Sequence, residues 1–417
     1  MSSTNWGPGA PRSRDLLLSF STAQQPLGSH SSGSNIITSS SSSSQKLELR
    51  TGAVVIDPGT RSCRAGFCGE QTPRVEINTL VGCPVACPPG SGENRSEAST
   101  GEEALPGPEA GMQLMQKGIT TNWEAAGSLW QHLFDHELQV PPEDYPLLLT
   151  EPPLSPSRHR GKMVELVFEA LGCPGFFISQ QPVLTAYAHG RTSGLVVDVG
   201  HAVSCAVPVH EGYSLAHAAK KSELAGSQLS WYLLKLLEDR GEVLSSEVAD
   251  RVEDIKHKCC YVASSFEAEC QLPPGKYTLD YALPDGQAIS LSKERFQCPE
   301  MLFNPPAAWG ISYAGIHDMA QRSLNQLPEE MKSTMYRNIL LCGGSSLFEG
   351  LERRFHSELL QILAPSTKVK VAATPLRRYS AWTGGSILTS LTNFQTWWIR
   401  RDEYNEEGPR VVHQRCY

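Results

Sequence analysis

A motif that occurs twice constrains the fold of this chain more than any other feature. An apolar run leads into Asp-Pro-Gly at residues 57–59, and a second apolar run leads into Asp-Val-Gly at residues 198–200. After the first motif, a short polar turn and an apolar return segment predict two antiparallel strands joined by a tight loop. The backbone N–H groups of such a loop form a concave seat for an anion. The echo at 198–200 therefore predicts a duplicated unit with two such loops.

The first hairpin carries two residues suited to phosphate chemistry. Asp57, at the base of the loop, is able to hold a metal ion directly or through water, and Arg64 on the return strand is able to face a phosphate. Taken alone, the segment fits an ordinary hairpin with a solvated aspartate better than a binding site. A third element, an apolar run that meets Gly343 and Gly344, favours two facing α/β units. A nucleotide would lie between them, because glycines let the backbone approach phosphates and adenine closely.

Bulk composition excludes several classes of protein. The 417 residues leave room for two to four subdomains. A net charge of −8 argues against a nucleic-acid-binding surface. The 12 cysteines form no Cys-x-x-Cys pair, which favours reduced thiols. No apolar run approaches the roughly 20 residues of a membrane span. We therefore expect a soluble intracellular protein.

The chain divides into a tail and a folded part. Residues 1–46 are rich in Ser, Gly and Pro and cannot bury enough apolar surface to fold, so we predict a disordered tail that is either passive or phosphorylated. Residues 84–111 are rich in Pro, Gly and Glu and predict a mobile acidic loop region. The apolar spacing further predicts strands at 75–81, 145–150 and 368–372 and helices at 157–171, 226–240, 247–263 and 316–327.

Longer segments carry a resemblance to a known family. These segments are residues 63–67, 121–123, 148–154, 190–192, 283–286, 294–296, 315–317, 364–367, 384–388 and 403–404. With them, the chain from about residue 49 to its C-terminus resembles actin and the actin-like proteins. Within that family it is most similar to the divergent vertebrate group of testis-type actin-like proteins.

The resemblance implies the architecture. It implies an α/β fold of the actin-like ATPase type, shared with sugar kinases and Hsp70 chaperones. Duplicated α/β lobes then form four subdomains around a nucleotide cleft. The actin-like domain would be 47–417, with lobe one at 47–190 and 380–417 and lobe two at 191–379. The implied cofactor is ATP or ADP with Mg²⁺ or Ca²⁺.

The resemblance also implies site residues. Gln181 matches the glutamine that orients the attacking water, and Asp198 matches a residue that acts beside it in catalysis. Asp57 and Asp198 match the residues that hold the metal ion through water. Nucleotide contacts are implied at Asp57, Gly59, Thr60, Arg64, Asp198, Gly200, Gly226, Lys256, Gly343, Gly344, Leu347 and Arg378.

The departures from the family pattern concentrate at this same site. Arg61 stands where the family has a small residue, and Arg64 stands where it has a lysine. In the second loop His201 replaces a second aspartate and Ala202 replaces a glycine. Loss of one carboxylate weakens the positioning of the metal ion, and positioning is nearly all that a protein contributes to phosphoryl transfer. We therefore predict that nucleotide binding is retained, with slow or absent hydrolysis.

The family's protein-binding surfaces are kept unevenly. Seven residues match a hydrophobic groove that binds amphipathic helices of actin-binding proteins: Tyr187, Ala188, Gly190, Thr192, Ile387, Leu388 and Leu391. For each aliphatic residue, plain core packing stays open as the alternative. The acidic region 84–111 replaces a loop with an apolar tip and argues against copolymerisation with ordinary actin. The apolar tip near Trp309 keeps self-assembly open.

Three functions are compatible with these features. The first is a divergent actin-like scaffold with a degraded ATP site that acts through protein–protein interactions in a specialised cytoskeleton, such as that of the spermatid. The second is a nuclear actin-related subunit of a chromatin-remodelling complex. The third is an active ATP-hydrolysing filament former. We favour the first, with a cytoplasmic, cytoskeletal location and the nucleus as the alternative, and we expect no direct contact with nucleic acid.

Overall fold

The computed structural model describes residues 52–82, 111–241, 246–283, 286–306 and 314–416. The predicted disordered tail, residues 84–110 of the predicted acidic loop and the apolar tip at Trp309 lie outside these ranges.

The described residues form eighteen strands. They are β1 (Val54–Pro58), β2 (Ser62–Phe67), β3 (Val75–Asn78), β4 (Leu80–Gly82), β5 (Gly111–Gln113), β6 (Met115–Gln116), β7 (Ile119–Thr120), β8 (Leu147–Glu151), β9 (Gly175–Gln180), β10 (Gly194–Val199), β11 (Ser204–His210), β12 (Tyr213–Ser214), β13 (Lys220–Ser222), β14 (Leu279–Ala282), β15 (Ala288–Leu291), β16 (Ile339–Cys342), β17 (Val371–Ala372) and β18 (Ile399–Arg400).

The α-helices of the same residues alternate with these strands. They are α1 (Trp123–His132), α2 (Arg158–Glu165), α3 (Gln181–Ala188), α4 (Gly226–Asp239), α5 (Ser246–Cys259), α6 (Phe266–Cys270), α7 (Glu294–Glu300), α8 (Ile316–Leu324), α9 (Glu329–Tyr336), α10 (Leu351–Ile362), α11 (Ser380–Ser390), α12 (Arg401–Glu407) and α13 (Val411–Arg415).

Two mixed sheets organise the molecule. The first has the strand order β18-β9-β8-β1-β2-β3, and the second has the order β12-β11-β10-β16-β17 with β13 paired to β11. In each sheet the leading strand of a hairpin also pairs in parallel with a later strand, β1 with β8 and β10 with β16. We call each sheet, with the elements packed on it, the first and the second lobe. The repeated arrangement confirms the predicted α/β fold.

The two predicted hairpins are present, and their loops are closed by equivalent turns. β1 pairs antiparallel with β2, and β10 pairs antiparallel with β11. The Gly59 N–H donates to the Ser62 carbonyl at 3.0 Å, and the Gly200 N–H donates to the Val203 carbonyl at 3.0 Å. The same hydrogen bond therefore closes both loops, as the duplicated Asp-x-Gly motif predicts.

One predicted strand is interrupted for a reason that concerns the site. The apolar run at 75–81 is split into β3 and β4, so the prediction of one strand is wrong. At the break, the Thr79 N–H donates to the Arg61 carbonyl at 3.0 Å and its hydroxyl donates to the Gly59 carbonyl at 2.7 Å. Thr79 therefore lies outside the sheet and hydrogen-bonds to the first loop, and the following strand, β4, pairs with β5.

Other boundaries also differ from prediction. The helix predicted over 157–171 is α2 followed by a π-helical segment, Leu166–Leu171, which ends at Gly172 with φ of 78°. The helix predicted over 247–263 ends at Cys259, because the Tyr261 N–H donates to the Arg295 carbonyl at 3.0 Å. The helix predicted over 316–327 ends at Leu324, and the strand predicted over 368–372 is only β17.

Helices α3 and α11 cross at the base of the first sheet with their backbones in close contact. A Cβ added at Gly384 would overlap the Leu184 carbonyl oxygen and lie 2.8 Å from the Leu184 Cα. Beside it, the indole N–H of the fully buried Trp382 donates to the Val55 carbonyl of β1 at 3.0 Å. The crossing ties α11, and with it the C-terminal part of the chain, to the first hairpin. Among the described helices, none has the length and apolar character that a bilayer span requires.

Candidate functional site

Both hairpin loops open into one cavity of about 610 Å³ between the lobes. The predicted site residues that line it are Asp57, Gly59, Thr60, Arg64, Gln181, Asp198, Gly200, Lys256, Gly343, Gly344, Leu347 and Arg378. Gly226 lies directly behind them: its N–H donates to the Gly200 carbonyl at 3.0 Å, and a Cβ added there would lie 2.5 Å from Ser345 Oγ. The structure therefore brings the predicted nucleotide residues to one place.

Asp57 is buried with both carboxylate oxygens hydrogen-bonded. Its Oδ1 accepts from the Thr150 hydroxyl at 2.5 Å and from the Gln181 amide at 3.0 Å, and its Oδ2 accepts from the Arg64 guanidinium at 3.2 Å. The side chain is 3% exposed. This network also fixes the amide of Gln181, the predicted water-orienting residue, at the floor of the cavity.

Arg64 is held between two carboxylates. Besides Asp57, its Nε donates to Glu76 Oε1 at 3.3 Å. Burial disfavours the charge, but the neighbouring Asp57 and Glu76 outweigh it and raise the pKa of Arg64. The guanidinium that we expected to face a phosphate thus compensates two protein carboxylates. Glu76, which sequence reasoning missed, also accepts from Arg378 at 2.7 Å, and only its position on the strand beside the first hairpin could have drawn attention to it.

Asp198 has the opposite environment. Its Oδ1 is buried and has no hydrogen-bond partner among the described residues. Burial, with the nearby charge of Asp57, raises the pKa of Asp198 to about 6. Gly343, with φ of 87°, packs against it, and a Cβ there would overlap Asp198 Oδ1. The second aspartate is therefore a desolvated carboxyl group close to the charge of the first.

Replacing Asp198 with asparagine is expected to stabilise the unliganded protein at pH 8 by about 2 kcal/mol. One pKa unit corresponds to about 1.4 kcal/mol, and the value for the full shift is reduced because the residue is only partly buried. The folded-state pKa of about 6 lies above the ordinary 3.8. Between these values the folded state binds more protons than the unfolded state, so this penalty grows as the pH rises to 6. The gain should vanish near pH 4, as measured by denaturant unfolding.

Asp280→Asn is the matched control, because Asp280 is exposed on β14. It should change the free energy of unfolding little at either pH. If Asp198→Asn raised the free energy of unfolding equally at pH 8 and pH 4, the assignment of Asp198 as a desolvated carboxylate with a raised pKa would be contradicted.

His201 brings a neutral ring to the second loop. Burial lowers its pKa to about 4; Glu253 opposes this shift and Lys256 reinforces it. The imidazole is uncharged at neutral pH. The position that carries a second acidic group in the family pattern therefore supplies no negative charge here.

Lys256 and Glu253 form a buried cluster behind the second loop. The Lys256 ammonium is 1% exposed and donates to the Gly226 carbonyl at 2.8 Å, to Ser230 Oγ at 2.6 Å and to both Glu253 oxygens at 2.9 Å. Burial opposes the charge of Glu253, but hydrogen bonds from His257, Lys256 and Ser230 hold its pKa well below its usual value. The Lys256 ammonium, which we predicted to contact the nucleotide, thus donates its hydrogen bonds to groups of the second lobe.

Two ion pairs cross the mouth of the cavity. Arg61, at the tip of the first loop, contacts Glu253 of α5 at 2.9 Å. Arg378, in the turn before α11, contacts Glu76 of β3 at 2.7 Å. Sequence reasoning singled out Arg61 as a departure from the family pattern but did not pair it with Glu253, because the two residues are 192 positions apart in the numbering. The first and second hairpin regions are therefore joined by side chains at the cavity.

The residues present fit a nucleotide polyanion better than they fit a divalent cation. Mg²⁺ and Ca²⁺ need several oxygen ligands, whereas the oxygens of Asp57 already accept three hydrogen bonds. In the described part of the chain, no cluster of three or more His, Cys, Asp or Glu residues is arranged to hold a metal ion. The backbone loops at Gly59 and Gly200, in contrast, both line the cavity, as a seat for phosphates would require.

The residues of the predicted partner groove differ in exposure. Tyr187, Leu388 and Leu391 are buried. Ala188, Thr192 and Ile387 are half-buried, and Gly190 is exposed. The accessible surface at the junction of α3 and α11 is therefore formed by the second group, while the first group packs inside.

The two lobes and the cavity between them are those of the actin-like fold class. A sequence model described as Actin matches residues 48–417. Human actin-like protein 9 is 47% identical over 373 residues, which cover 89% of this chain and 90% of that protein. Bovine actin-like protein 7A is 40% identical over 375 residues, which cover 89% of this chain and 85% of that protein. The chain therefore belongs to the actin family, which confirms the resemblance.

Proposed function

We propose that the chain is an actin-family scaffold that holds a nucleotide in its cleft and hydrolyses it slowly or not at all. The observation that carries this proposal is the second loop, where the neutral ring of His201 and Asp198, with its unpartnered Oδ1, line the same cavity. Actin-family proteins generally bind nucleotide together with a divalent cation. This chain keeps the backbone of that site and has changed its charges.

Some residues of the cleft would bind the nucleotide, and others would limit its hydrolysis. The loops at Gly59 and Gly200 would seat phosphates through their N–H groups, and Gly343 and Gly344 would lie against the base, as the family resemblance implies. Gln181, the residue suited to orienting water, has its amide held by Asp57 at 3.0 Å. Because phosphoryl transfer depends on positioned charge and positioned water, this arrangement favours binding over turnover.

The biological setting that we propose is a specialised cytoskeleton, with the spermatid as the specific case. The relatives reported above are named only as actin-like proteins, so this setting is an extrapolation from the testis-type group that the sequence resembles. The partner surface would be the groove formed by Ala188, Gly190, Thr192 and Ile387, which suits an amphipathic helix. Affinity purification of the tagged protein, with and without ATP, tests which partners it takes.

Calorimetric titration with ATP, combined with a phosphate-release assay, tests the nucleotide part of the proposal. We expect saturable binding at one site and phosphate release at least about tenfold slower than that of actin measured alongside, which corresponds to about 1.4 kcal/mol or more in the barrier. Binding with an actin-like rate of release would contradict the proposal, as would the absence of binding.

Restoring the family residues at the second loop should raise turnover. We expect the double change His201→Asp and Ala202→Gly to increase Mg²⁺-dependent phosphate release by about tenfold or more, because it returns a negative oxygen to the metal-facing side. Lys332→Gln, in a surface ion pair with Glu329, is the control and should release phosphate like the unmodified protein. An unchanged rate in the double variant at saturating ATP would contradict the role given to His201.

A further inference from the structure

We propose that the cleft binds the polyphosphate of its nucleotide without a divalent cation, and that Arg61 supplies the exchangeable positive charge by leaving Glu253 for phosphate. This inference rests on the proposed nucleotide binding and adds the form in which the nucleotide is taken. It departs from the metal-dependent binding that the family resemblance implies.

The cavity is electropositive although the protein is acidic. Its described lining contains six basic side chains and four acidic ones, an excess of two positive charges, whereas the whole chain carries −8. The basic residues are Arg61, Arg64, Lys221, Lys256, Arg377 and Arg378. A surplus of fixed positive charge in a cleft attracts a polyanion. The counter-charge that a metal ion would bring is thus already present in side chains.

Arg61 is placed to meet a phosphate. It follows Thr60 at the tip of the first loop, within the turn closed by the Gly59 to Ser62 hydrogen bond. Its side chain is 43% exposed, and its contact with Glu253 is 2.9 Å. A guanidinium donates two parallel hydrogen bonds to phosphate oxygens, and solvent at the Arg61 end of the ion pair reduces the stability that the pair contributes. Exchange of Glu253 for phosphate therefore costs little.

Glu253 stays compensated when Arg61 leaves. Its two oxygens keep the Lys256 ammonium at 2.9 Å, one of them also accepts from the Ser230 hydroxyl, and His257 lies 3.6 Å away. No buried carboxylate is left without a donor by the exchange. By contrast, withdrawing Arg64 from Asp57 and Glu76, or Arg378 from Glu76, would remove a charged donor from a carboxylate network that joins β1, β3 and the turn before α11.

Titration of the full chain with ATP in two buffers, one with EDTA and one with excess Mg²⁺, tests the inference. We expect dissociation constants that agree within about threefold. Arg61→Gln should weaken binding in EDTA by about tenfold, and Arg61→Lys should recover part of that loss because it keeps the charge but not the fork. Lys332→Gln is the control for a lost surface ion pair and should bind like the unmodified protein in both buffers.

The outcomes separate this inference from the function on which it rests. Binding that requires Mg²⁺ would overturn metal-free binding and leave the proposed function standing. Unchanged affinity of Arg61→Gln in EDTA would overturn the role of Arg61. Absence of binding in both buffers would overturn the proposed function and this inference together.

Discussion

Replacing Gly384 with alanine is expected to lower the free energy of unfolding by at least about 3 kcal/mol, because overpacking of a close backbone contact cannot be relieved by a rotamer change. The added Cβ would overlap the Leu184 carbonyl and lie 2.8 Å from the Leu184 Cα. Relief requires α11 to move away from α3. That movement would disturb the hydrogen bond from Trp382 to Val55 and, with it, the first hairpin. Denaturant unfolding measures the loss.

Gly161→Ala provides the matched control on a helix of the same lobe. Nothing lies within 4 Å of a Cβ added at Gly161 in α2, so helix propensity alone should stabilise that variant by roughly 0.5–1 kcal/mol. If Gly384→Ala were as stable as the unmodified protein, the close crossing of α3 and α11 described here would be wrong.

Replacing Glu300 with glutamine is expected to destabilise the protein by about 2–3 kcal/mol, because it removes the charge of the bidentate partner of a buried guanidinium, while Glu358 still compensates Arg354 at 2.5 Å. Glu300 Oε2 accepts from Arg354 Nη1 at 2.9 Å, and Oε1 accepts from Arg354 Nη2 at 2.7 Å. The side chains are 7% and 6% exposed. Arg354 also donates to the Ala263 carbonyl at 3.0 Å, so the pair joins α7, α10 and the segment after α5.

Glu329→Gln tests the same substitution on the surface of the second lobe. Glu329 pairs with Lys332 at 2.6 Å, but its side chain is 85% exposed, and exposed pairs of this kind contribute about 0–1 kcal/mol. Chemical denaturation of both variants should give clearly different losses. Equal losses would show that burial does not set the cost of breaking the Glu300–Arg354 pair.

Local sequence patterns predicted the parts of the fold that local chemistry determines. The two Asp-x-Gly hairpins follow from apolar runs that meet turn residues, and both form with the same turn hydrogen bond. The split of the strand predicted at 75–81 was not predictable in this way. It depends on Thr79 contacting the Arg61 and Gly59 carbonyls, a contact with a loop that lies almost twenty residues earlier. Tertiary hydrogen bonding overrides apolar spacing there.

The residues that line the cleft were predictable from the sequence, but the ion pairs among them were not. Apart from Gly226, the nucleotide residues carried over from the family line a single cavity, because the duplicated hairpins bring them together. The pairs Arg61–Glu253 and Arg378–Glu76 join residues distant in the sequence, and no local pattern relates their charges. The sequence was also insufficient to predict exposure at the partner groove, where Tyr187, Leu388 and Leu391 are buried. An apolar residue in a family motif does not reveal which of its faces is covered.

Recovery of the bound nucleotide tests the central claim most directly. The protein is mixed with an equal amount of ATP, incubated until actin treated in parallel has converted its nucleotide to ADP, then denatured, and the released nucleotide is separated by chromatography. A cleft that holds nucleotide without turning it over should return nearly all of it as ATP, retained with the protein through gel filtration. Recovery of ADP in the proportion found for actin would contradict the account.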